Sequence, residues 1–210
     1  MTAHAFTLSP PAALRDLVLS RRSTRSFTDE PVPDGVLRQL LADSVWAPSP
    51  HNSQPWRFTV LTRRPDRERL AGAMASRLAE ELRADGLDAA GIARQTERSQ
   101  QRIVGAPAVL VCSLVDNGLT SYPDRRRNEL EWLMAVQSVG AVLQTLFLLA
   151  AERGLGSCWM AAPMYCPEVV RDVLGLPDAY RPQALALLGF PAGPGRVRGR
   201  HSLEEIVEIR

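Results

Sequence analysis

The sequence predicts a single domain in which helices and strands alternate along the chain. Of its 210 residues, 45% are hydrophobic, which is enough to bury one sizeable core. Apolar residues recur at helical spacing in several segments, and the shorter apolar runs between them are typical of strands. No internal repeat or linker separates these segments, so we expect one domain over residues 1–210.

The order of the elements follows from these patterns. The predicted helices cover about residues 14–18, 34–46, 66–84, 94–104, 128–153 and 167–175. The predicted strands cover about residues 56–62, 108–115, 156–160 and 183–190. The second of these strands is almost continuously apolar, which predicts an interior position in the sheet. We expect Asp34 to cap the second helix, Gly154 to end the fifth and Pro167 to begin the sixth.

The segment 132–151 contains no charged residue and is long enough, at about 30 Å as a helix, to span a bilayer. Polar residues nevertheless recur on one of its faces, as at Gln137 and Gln144, and Glu131 and Glu152 flank it closely. We therefore interpret it as the central helix of a protein that has no membrane span. A helix this apolar needs cover on nearly all sides, which the second subunit of a homodimer would supply.

The composition excludes several classes of function. All 25 basic residues are arginine, which excludes Schiff-base enzymes and Walker phosphate loops because both need a lysine. The net charge of +2 gives no indication of nucleic-acid binding. The three cysteines and three histidines lack the spacing of a zinc site, so no metal is expected. Without a disulfide framework, and without secretory features in residues 1–11, we expect a cytoplasmic protein.

Two polar segments form a candidate binding site. Residues 21–25, Arg-Arg-Ser-Thr-Arg, place three guanidiniums and two hydroxyls at one point of the chain, which suits a phosphate or a flavin ring. The alternative is a helix C-terminal cap with solvated charges, where the helix dipole favours cations. Residues 47–55 mix proline, serine, histidine, asparagine and glutamine and lead into a predicted strand, which indicates a polar loop held against a sheet.

Together these segments resemble the pair with which dimers of the nitroreductase family bind flavin mononucleotide (FMN). The resemblance implies an α+β nitroreductase-like fold, with a central mixed β-sheet flanked by helices, in an intertwined homodimer with two FMN sites at its interface. It also implies FMN-dependent oxidoreductase activity by ping-pong hydride transfer. The residues that it places at the cofactor are Arg21, Arg22, Ser23, Arg25, Pro48, Ser49, Asn52, Arg102, Met160, Ala161, Ala162, Arg198 and Arg200.

The resemblance also implies individual roles. Arg25 and Arg102 would contact the edge of the flavin ring, and the backbone of residues 160–162 would direct an N–H at flavin N5. His51 is either a proton donor to the substrate or a simple hydrogen-bond donor. The phosphate would be held by Arg21, Arg22, Ser23 and Arg200.

The oxygen-insensitive members of the family carry a Glu-Gly pair where this chain has Ala161 and Ala162. A closer resemblance is to the C-terminal, FMN-binding half of FbiB, the bifunctional enzyme of deazaflavin-coenzyme biosynthesis. It rests on residues 121–127 (SYPDRRR), 154–160 (GLGSCWM) and 176–178 (LPD). It implies reduction of the dehydro form of a deazaflavin coenzyme precursor, with the substrate held by His51, Tyr122, Arg125, Arg126 and Arg127.

Two other functions stay open at this stage. One is an NAD(P)H-dependent nitro or quinone reductase, and the other is a flavin-binding protein without turnover, for which the missing glutamate at position 161 is the motive. The run from Arg125 to Arg127 also has a second interpretation, as a solvated charged run that flanks a helix.

Overall fold

The computed structural model describes residues 14–210 as a four-stranded sheet with helices packed on both faces. Its strands are β1 Trp56–Leu61, β2 Ala108–Leu114, β3 Gly156–Met160 and β4 Arg181–Gly189. Its helices are α1 Leu14–Ser20, α2 Asp34–Ser44, α3 Arg64–Ala84, α4 Ala89–Val104, α5 Arg125–Glu152, α6 Pro167–Leu174 and α7 Leu203–Ile206. The predicted α+β class is confirmed. The segment 1–11, for which no secretory signal is predicted, lies outside the described residues.

The strands lie in the order β1-β2-β4-β3, so β1 and β3 form the two edges of the sheet. Every neighbouring pair of these strands is antiparallel, with Trp56 opposite Leu114 in the first pair. The sheet is therefore not the mixed one that the resemblance implies, and parallel pairing within residues 14–210 is confined to an isolated bridge between Ser23 and Ser157. The reason is topological. Because α5 connects them, β3 runs in the same direction as β2. β4 lies between these two strands and runs in the opposite direction, so every neighbouring pair is antiparallel.

The core has two parts because alternate side chains of β2 point to opposite faces of the sheet. Leu110 and Cys112 pack with the buried sides of α2 and α5, whereas Val109 and Val111 pack with α3, α4 and α6. All seven residues of β2 are buried. This burial on both faces explains the continuous apolar run and confirms the predicted interior strand.

The longest helix, α5, is a core helix on one side and exposed on the other. Val142 and Leu146 are buried against the sheet, while Leu133 and Gln137 are exposed. Its length and composition would permit a membrane span, but 44% of its most apolar stretch is buried inside this domain. The burial agrees with the predicted central helix, and the exposed side is the part that a single subunit does not cover.

The ends of the helices show which local signals are decisive. α5 begins at Arg125 rather than near residue 128, because the Asp124 side chain accepts a backbone hydrogen bond of 3.0 Å from the first turn and caps the helix. The cap predicted at Asp34 is wrong, since Asp34 is itself the first residue of α2 and none of the described side chains caps that helix. Two other predictions are confirmed: Gly154 has a φ of +72° after α5, and α6 begins at Pro167.

Candidate functional site

The arginine-rich segment 21–25 lies along the outer edge of β3. The Thr24 N–H donates to the Ser157 carbonyl at 2.8 Å, and Ser23 forms a bridge with the same residue. The two chains approach closely, because a Cβ added to Gly156 would lie 2.6 Å from Thr24 Cγ2. The segment is therefore a fixed part of the sheet edge and not a solvated extension of α1.

Arg22 is held by α1 on one side and by the C-terminal loop on the other. Its guanidinium donates to the Leu19 carbonyl in the last turn of α1. A Cβ added to Gly195 would lie 2.5 Å from Arg22 Cβ, so the loop packs against the stem of this side chain. The helix-cap alternative thus applies to Arg22. Arg198 and Arg200 lie further along the same loop, where residues 191–210 are all exposed.

The charges of three guanidiniums act on the buried thiol of Cys158 in β3. Burial raises the pKa of this thiol, and the positive charges of Arg25, Arg102 and Arg21 oppose the rise. Burial lowers the pKa of the Arg102 guanidinium, and the charges of Arg98 and Arg25 lower it further. The fold brings Arg25 and Arg102 to one cleft although they are far apart in the chain.

Arg25, Arg98 and Arg102 line one cleft of about 350 Å³, together with Ser26, Phe27, Gln101 and Gly105. None of the ion pairs formed within residues 14–210 involves these three guanidiniums. Because like charges repel and no carboxylate of this region compensates them, the cleft is strongly positive. Its chemistry is that of an anion-binding site.

The predicted polar loop precedes β1 and has an unusual backbone. His51, Asn52 and Gln54 have φ values of 53°, 53° and 47°. For residues other than glycine this conformation costs about 1–2 kcal/mol each, and such strain is concentrated at functional sites. The loop is closed by the Gln54 N–H, which donates to Ser49 Oγ at 3.0 Å. Pro48, which is predicted at the cofactor and directly precedes Ser49, is exposed.

His51 is anchored by a buried carboxylate. Its Nε2 lies 3.5 Å from Glu131 Oε1, and the other oxygen of Glu131 accepts a hydrogen bond of 3.3 Å from the Thr120 N–H. The side chain of His51 is 60% exposed, against 5% for that of Glu131. The imidazole therefore contacts the buried Glu131 on one side, and its exposed side is accessible to a small molecule.

The two halves of the predicted site lie at opposite edges of the sheet. The loop with Ser49 and Asn52 leads into β1, whereas the segment 21–25 flanks β3. Two strands separate these edges, which amounts to about 14 Å at the usual spacing between strands. One subunit therefore does not bring the loop to the cleft of its own Arg25 and Arg102.

Residues 160–162 follow Cys158 at the end of β3. Met160 pairs with Leu185 and lies on the same face of the strand as Cys158. Ala161 is exposed, and Ala162 begins a short 3₁₀ turn that ends at Tyr165. Ala162 lines a pocket with Tyr165 and Cys166, and residues 160–162 are not among those that line the cleft of Arg25 and Arg102.

The residues predicted at the substrate, from Tyr122 to Arg127, form the start of α5. The Tyr122 N–H donates to Asn128 Oδ1 at 2.8 Å, and the Arg127 guanidinium lies 4.5 Å from the centre of the Tyr122 ring. Arg127 also pairs with Asp124, and hydrogen bonds from its backbone and side chain lower the pKa of that carboxyl. Arg125 pairs with Glu129 at 2.6 Å.

Much of this motif therefore caps a helix. Among the three arginines, Arg126 is the one whose side chain forms no hydrogen bond or ion pair with any described residue. The interpretation as a charged run that flanks a helix applies to Arg125 and Arg127.

Sequence reasoning missed three residues that the structure places at these sites, namely Arg98, Gln101 and Glu131. Arg98 and Arg102 are four residues apart and share a helix face, which the sequence does show. That this face lines a cleft with Arg25 depends on the packing of α4. Glu131 gave the weaker signal of a single acid at the start of an uncharged segment.

The sequence model of the nitroreductase family matches residues 18–190. The chain belongs to the nitroreductase family. Among similar members, an NADH dehydrogenase of Thermus thermophilus is 32% identical over 94% of this chain and 96% of its own length. A chloronitrobenzene nitroreductase of Comamonas testosteroni is 32% identical over 78% of this chain and 80% of its own length. The family and the oxidoreductase class inferred from the sequence are confirmed.

Solved structures of nitroreductase-like proteins have the same fold. A BluB-like flavoprotein of Clostridium difficile superposes with a TM-score of 0.78 at 24% identity, covering 95% of this chain and 99% of its own. NfnB of Mycobacterium smegmatis, an FMN-dependent nitroreductase solved in complex with NADPH, has a TM-score of 0.73 at 23% identity, covering 93% and 97%. These likenesses confirm the nitroreductase-like fold.

Proposed function

We propose that this member of the nitroreductase family is an FMN-dependent enzyme that reduces quinones and nitro compounds with electrons from NAD(P)H. The observation that carries the proposal is the positive cleft lined by Arg25, Arg98 and Arg102. The names of two relatives, an NADH dehydrogenase and a chloronitrobenzene nitroreductase, support the type of reaction. The three cysteines are free and buried, which supports a reducing, cytoplasmic location.

The residues present fit FMN. A flavin nucleotide needs cations at the ring edge that becomes negative on reduction, and separate donors for its phosphate. Arg25 and Arg102 supply the first set in a cleft without a competing carboxylate from the described residues. Arg21 and Ser23 supply the second set on a segment that is fixed to β3. When bound, FMN supplies the two-electron chemistry that links donor and acceptor.

The remaining groups of the chain have positioning roles. Arg22 joins α1 to the C-terminal loop at Gly195, so it holds the phosphate end of the site in shape. We assign the N–H that would face flavin N5 to the backbone of residues 160–162, which follows Cys158 at the end of β3. His51, held by Glu131, presents an exposed imidazole that can donate a hydrogen bond or a proton to a bound acceptor.

We propose that two copies of the chain form a homodimer in which the loop of one subunit completes the cleft of the other. The support is the separation of Asn52 from Arg25 by the width of the sheet, since a second subunit is the simplest way to join them. The exposed apolar surface also supports it, because such side chains need cover. Many of them lie on α1, α5, β3 and the C-terminal segment, and these include Leu14, Val18, Leu130, Leu133, Trp159, Leu203, Ile206 and Ile209.

The main proposal is tested by cofactor content and turnover. We expect purified protein to be yellow, to hold one FMN per subunit and to oxidise NADH or NADPH when a neutral quinone is added. Arg25→Ala should weaken FMN binding, whereas Arg63→Ala is the matched control, since Arg63 is 80% exposed and pairs with Asp66 away from the cleft. Colourless protein that takes up no added FMN would refute the proposal.

Sites shared between subunits have their own test. Arg25→Ala and Asn52→Gly homodimers should each bind FMN poorly, the glycine being chosen because it keeps the positive φ of Asn52. If the two variants are unfolded and refolded together, half of the dimers are mixed and each mixed dimer has one undamaged site. We therefore expect about a quarter of the sites to regain FMN. No recovery would show that each site is built within one subunit.

A second candidate substrate is the dehydro form of a deazaflavin coenzyme precursor. It is favoured by the SYPDRRR motif at residues 121–127. The side chain of Arg126 in this motif forms no ion pair with any described residue. Arg126→Gln should raise KM for this anionic precursor and leave KM for a neutral quinone unchanged. If the FMN-loaded enzyme does not turn over the precursor, this candidate is excluded.

A further inference from the structure

The cleft beside β3 has more positive charge than a flavin ring edge requires. Arg25 and Arg102 are the two cations that the proposed FMN site uses, and Arg98 is a third on the same wall. Arg98 and Arg102 are one helical turn apart on α4, and like charges at this spacing destabilise a helix. Burial lowers the pKa of Arg102, and the charges of Arg98 and Arg25 lower it further.

Two arginines on the neighbouring helix α3 are compensated. Arg64 Nε lies 2.8 Å from Glu68 Oε1, and Arg77 Nε lies 3.2 Å from Glu81 Oε1. The cleft next to that of Arg98 is lined by Arg64 and Glu68 and shares Gln101 with it, but its charges cancel. Of these two neighbouring clefts, the one lined by Arg98 therefore carries the uncompensated charge.

The depth of the side chains separates their roles. Arg102 is half-buried, whereas Arg25 and Arg98 are exposed, so Arg98 lies nearer the mouth of the cleft than Arg102 does. A resident cofactor would occupy the inner part of this cleft. A reactant that binds and dissociates in each turnover would contact the residues at its mouth. A guanidinium with an amide donor such as Gln101 three residues away matches the oxygens of a phosphate or carboxylate.

We propose that Arg98 and Gln101 form an anion subsite that holds a phosphate or carboxylate group of the small molecule that reacts at the FMN. The inference rests on the proposed function and extends it, because it makes Arg98 a specificity-determining residue for anionic reactants. The anion has two sources, the nucleotide that donates electrons and an acidic acceptor.

The test compares Arg98→Gln with Arg94→Gln on FMN-loaded protein. Arg94 is exposed, lies one turn earlier on α4 and does not line the cleft. We expect Arg98→Gln to keep full FMN content and to raise KM for the anionic reactant roughly two- to fivefold, an effect suited to an exposed charge pair. The same KM should rise with salt in the wild type and rise less in the variant. Arg94→Gln should behave as the wild type does.

The choice of reactants identifies the source of the anion. A rise for NADPH alone indicates its 2′-phosphate, and equal rises for NADPH and NADH indicate the pyrophosphate. A rise for a sulfonated quinone but not for its neutral parent indicates an acidic acceptor. Unchanged KM for all these anions would overturn the proposal, and so would loss of FMN from Arg98→Gln, because the charge would then belong to the cofactor site.

Failure of the proposed function is detected separately. If the wild type binds no FMN, pyrophosphate binding to the protein is measured by calorimetry instead. Weaker binding to Arg98→Gln than to the wild type and Arg94→Gln would support the subsite without the redox function. Equal binding to all three proteins would overturn it.

Discussion

The contact between Gly156 and Thr24 gives the sharpest prediction, because one added methyl group should detach the arginine segment from β3. In Gly156→Ala the new Cβ would lie 2.6 to 2.7 Å from three atoms of Thr24, well inside van der Waals contact. Overpacking of this kind costs about 1–3 kcal/mol. Weakening the hydrogen bond from the Thr24 N–H to the Ser157 carbonyl adds about 1 kcal/mol. Alanine recovers about 0.4–1 kcal/mol by restricting the unfolded chain.

The net expectation for Gly156→Ala is a loss of about 1–3 kcal/mol in the free energy of unfolding, together with weaker FMN binding. Urea denaturation measures the first and fluorescence titration of FMN the second. Gly72→Ala is the matched control, because Gly72 lies within α3 with nothing within 4 Å of the added Cβ, and it should be stabilising. Thr24→Ala should partly rescue Gly156→Ala, since it removes two of the three close atoms. The reasoning is refuted if Gly156→Ala matches the wild type in both measurements.

Three further predictions concern the core, the thiols and the loop. Val142→Arg places an unpaired charge at a fully buried position of α5 and should lower the free energy of unfolding by about 3–5 kcal/mol. A flavin-loaded dimer of this variant in a sedimentation experiment would contradict the prediction. Burial raises the pKa of the Cys166 thiol to about 11, so its protonated form is favoured in the folded state and the free energy of unfolding should fall as pH rises from about 8.5 toward 11. Urea titrations of Cys166→Ala should show a shallower fall, and identical pH profiles would exclude this contribution. Glu131→Gln should lower turnover of a quinone more than it lowers FMN affinity, because Glu131 contacts His51 and not the cleft; equal losses in both assays would make its role structural.

The secondary structure was largely predictable because its signals are local. The apolar run of β2, the helical spacing of Arg94, Arg98 and Arg102 in α4, and Pro167 at the start of α6 depend on neighbours in the chain. The errors concern which of several nearby residues caps a helix. Asp124 caps α5 a turn before the expected start, and Asp34 enters α2 instead of capping it.

The candidate site was predictable as a set of residues but not as an arrangement. The segment 21–25 is recognisable because five neighbouring residues carry its chemistry, yet Arg22 caps α1 in the structure. Arg125 and Arg127 have acidic neighbours one turn away, and these pairs leave Arg126 as the free cation among the described contacts. Arg98 was overlooked because helical spacing alone does not tell which face of α4 lines a cleft.

The sequence by itself determined the types and order of the elements, the absence of lysine chemistry and the presence of a dense group of arginines, because all of these are properties of composition and of short segments. The tertiary structure alone decided that β1 and β3 are opposite edges, that α4 brings Arg98 and Arg102 to Arg25, and that Glu131 lies under His51. These outcomes depend on which strands pair and which helix faces pack. Pairing and packing join residues far apart in the chain, and their free energies are not encoded in any single segment.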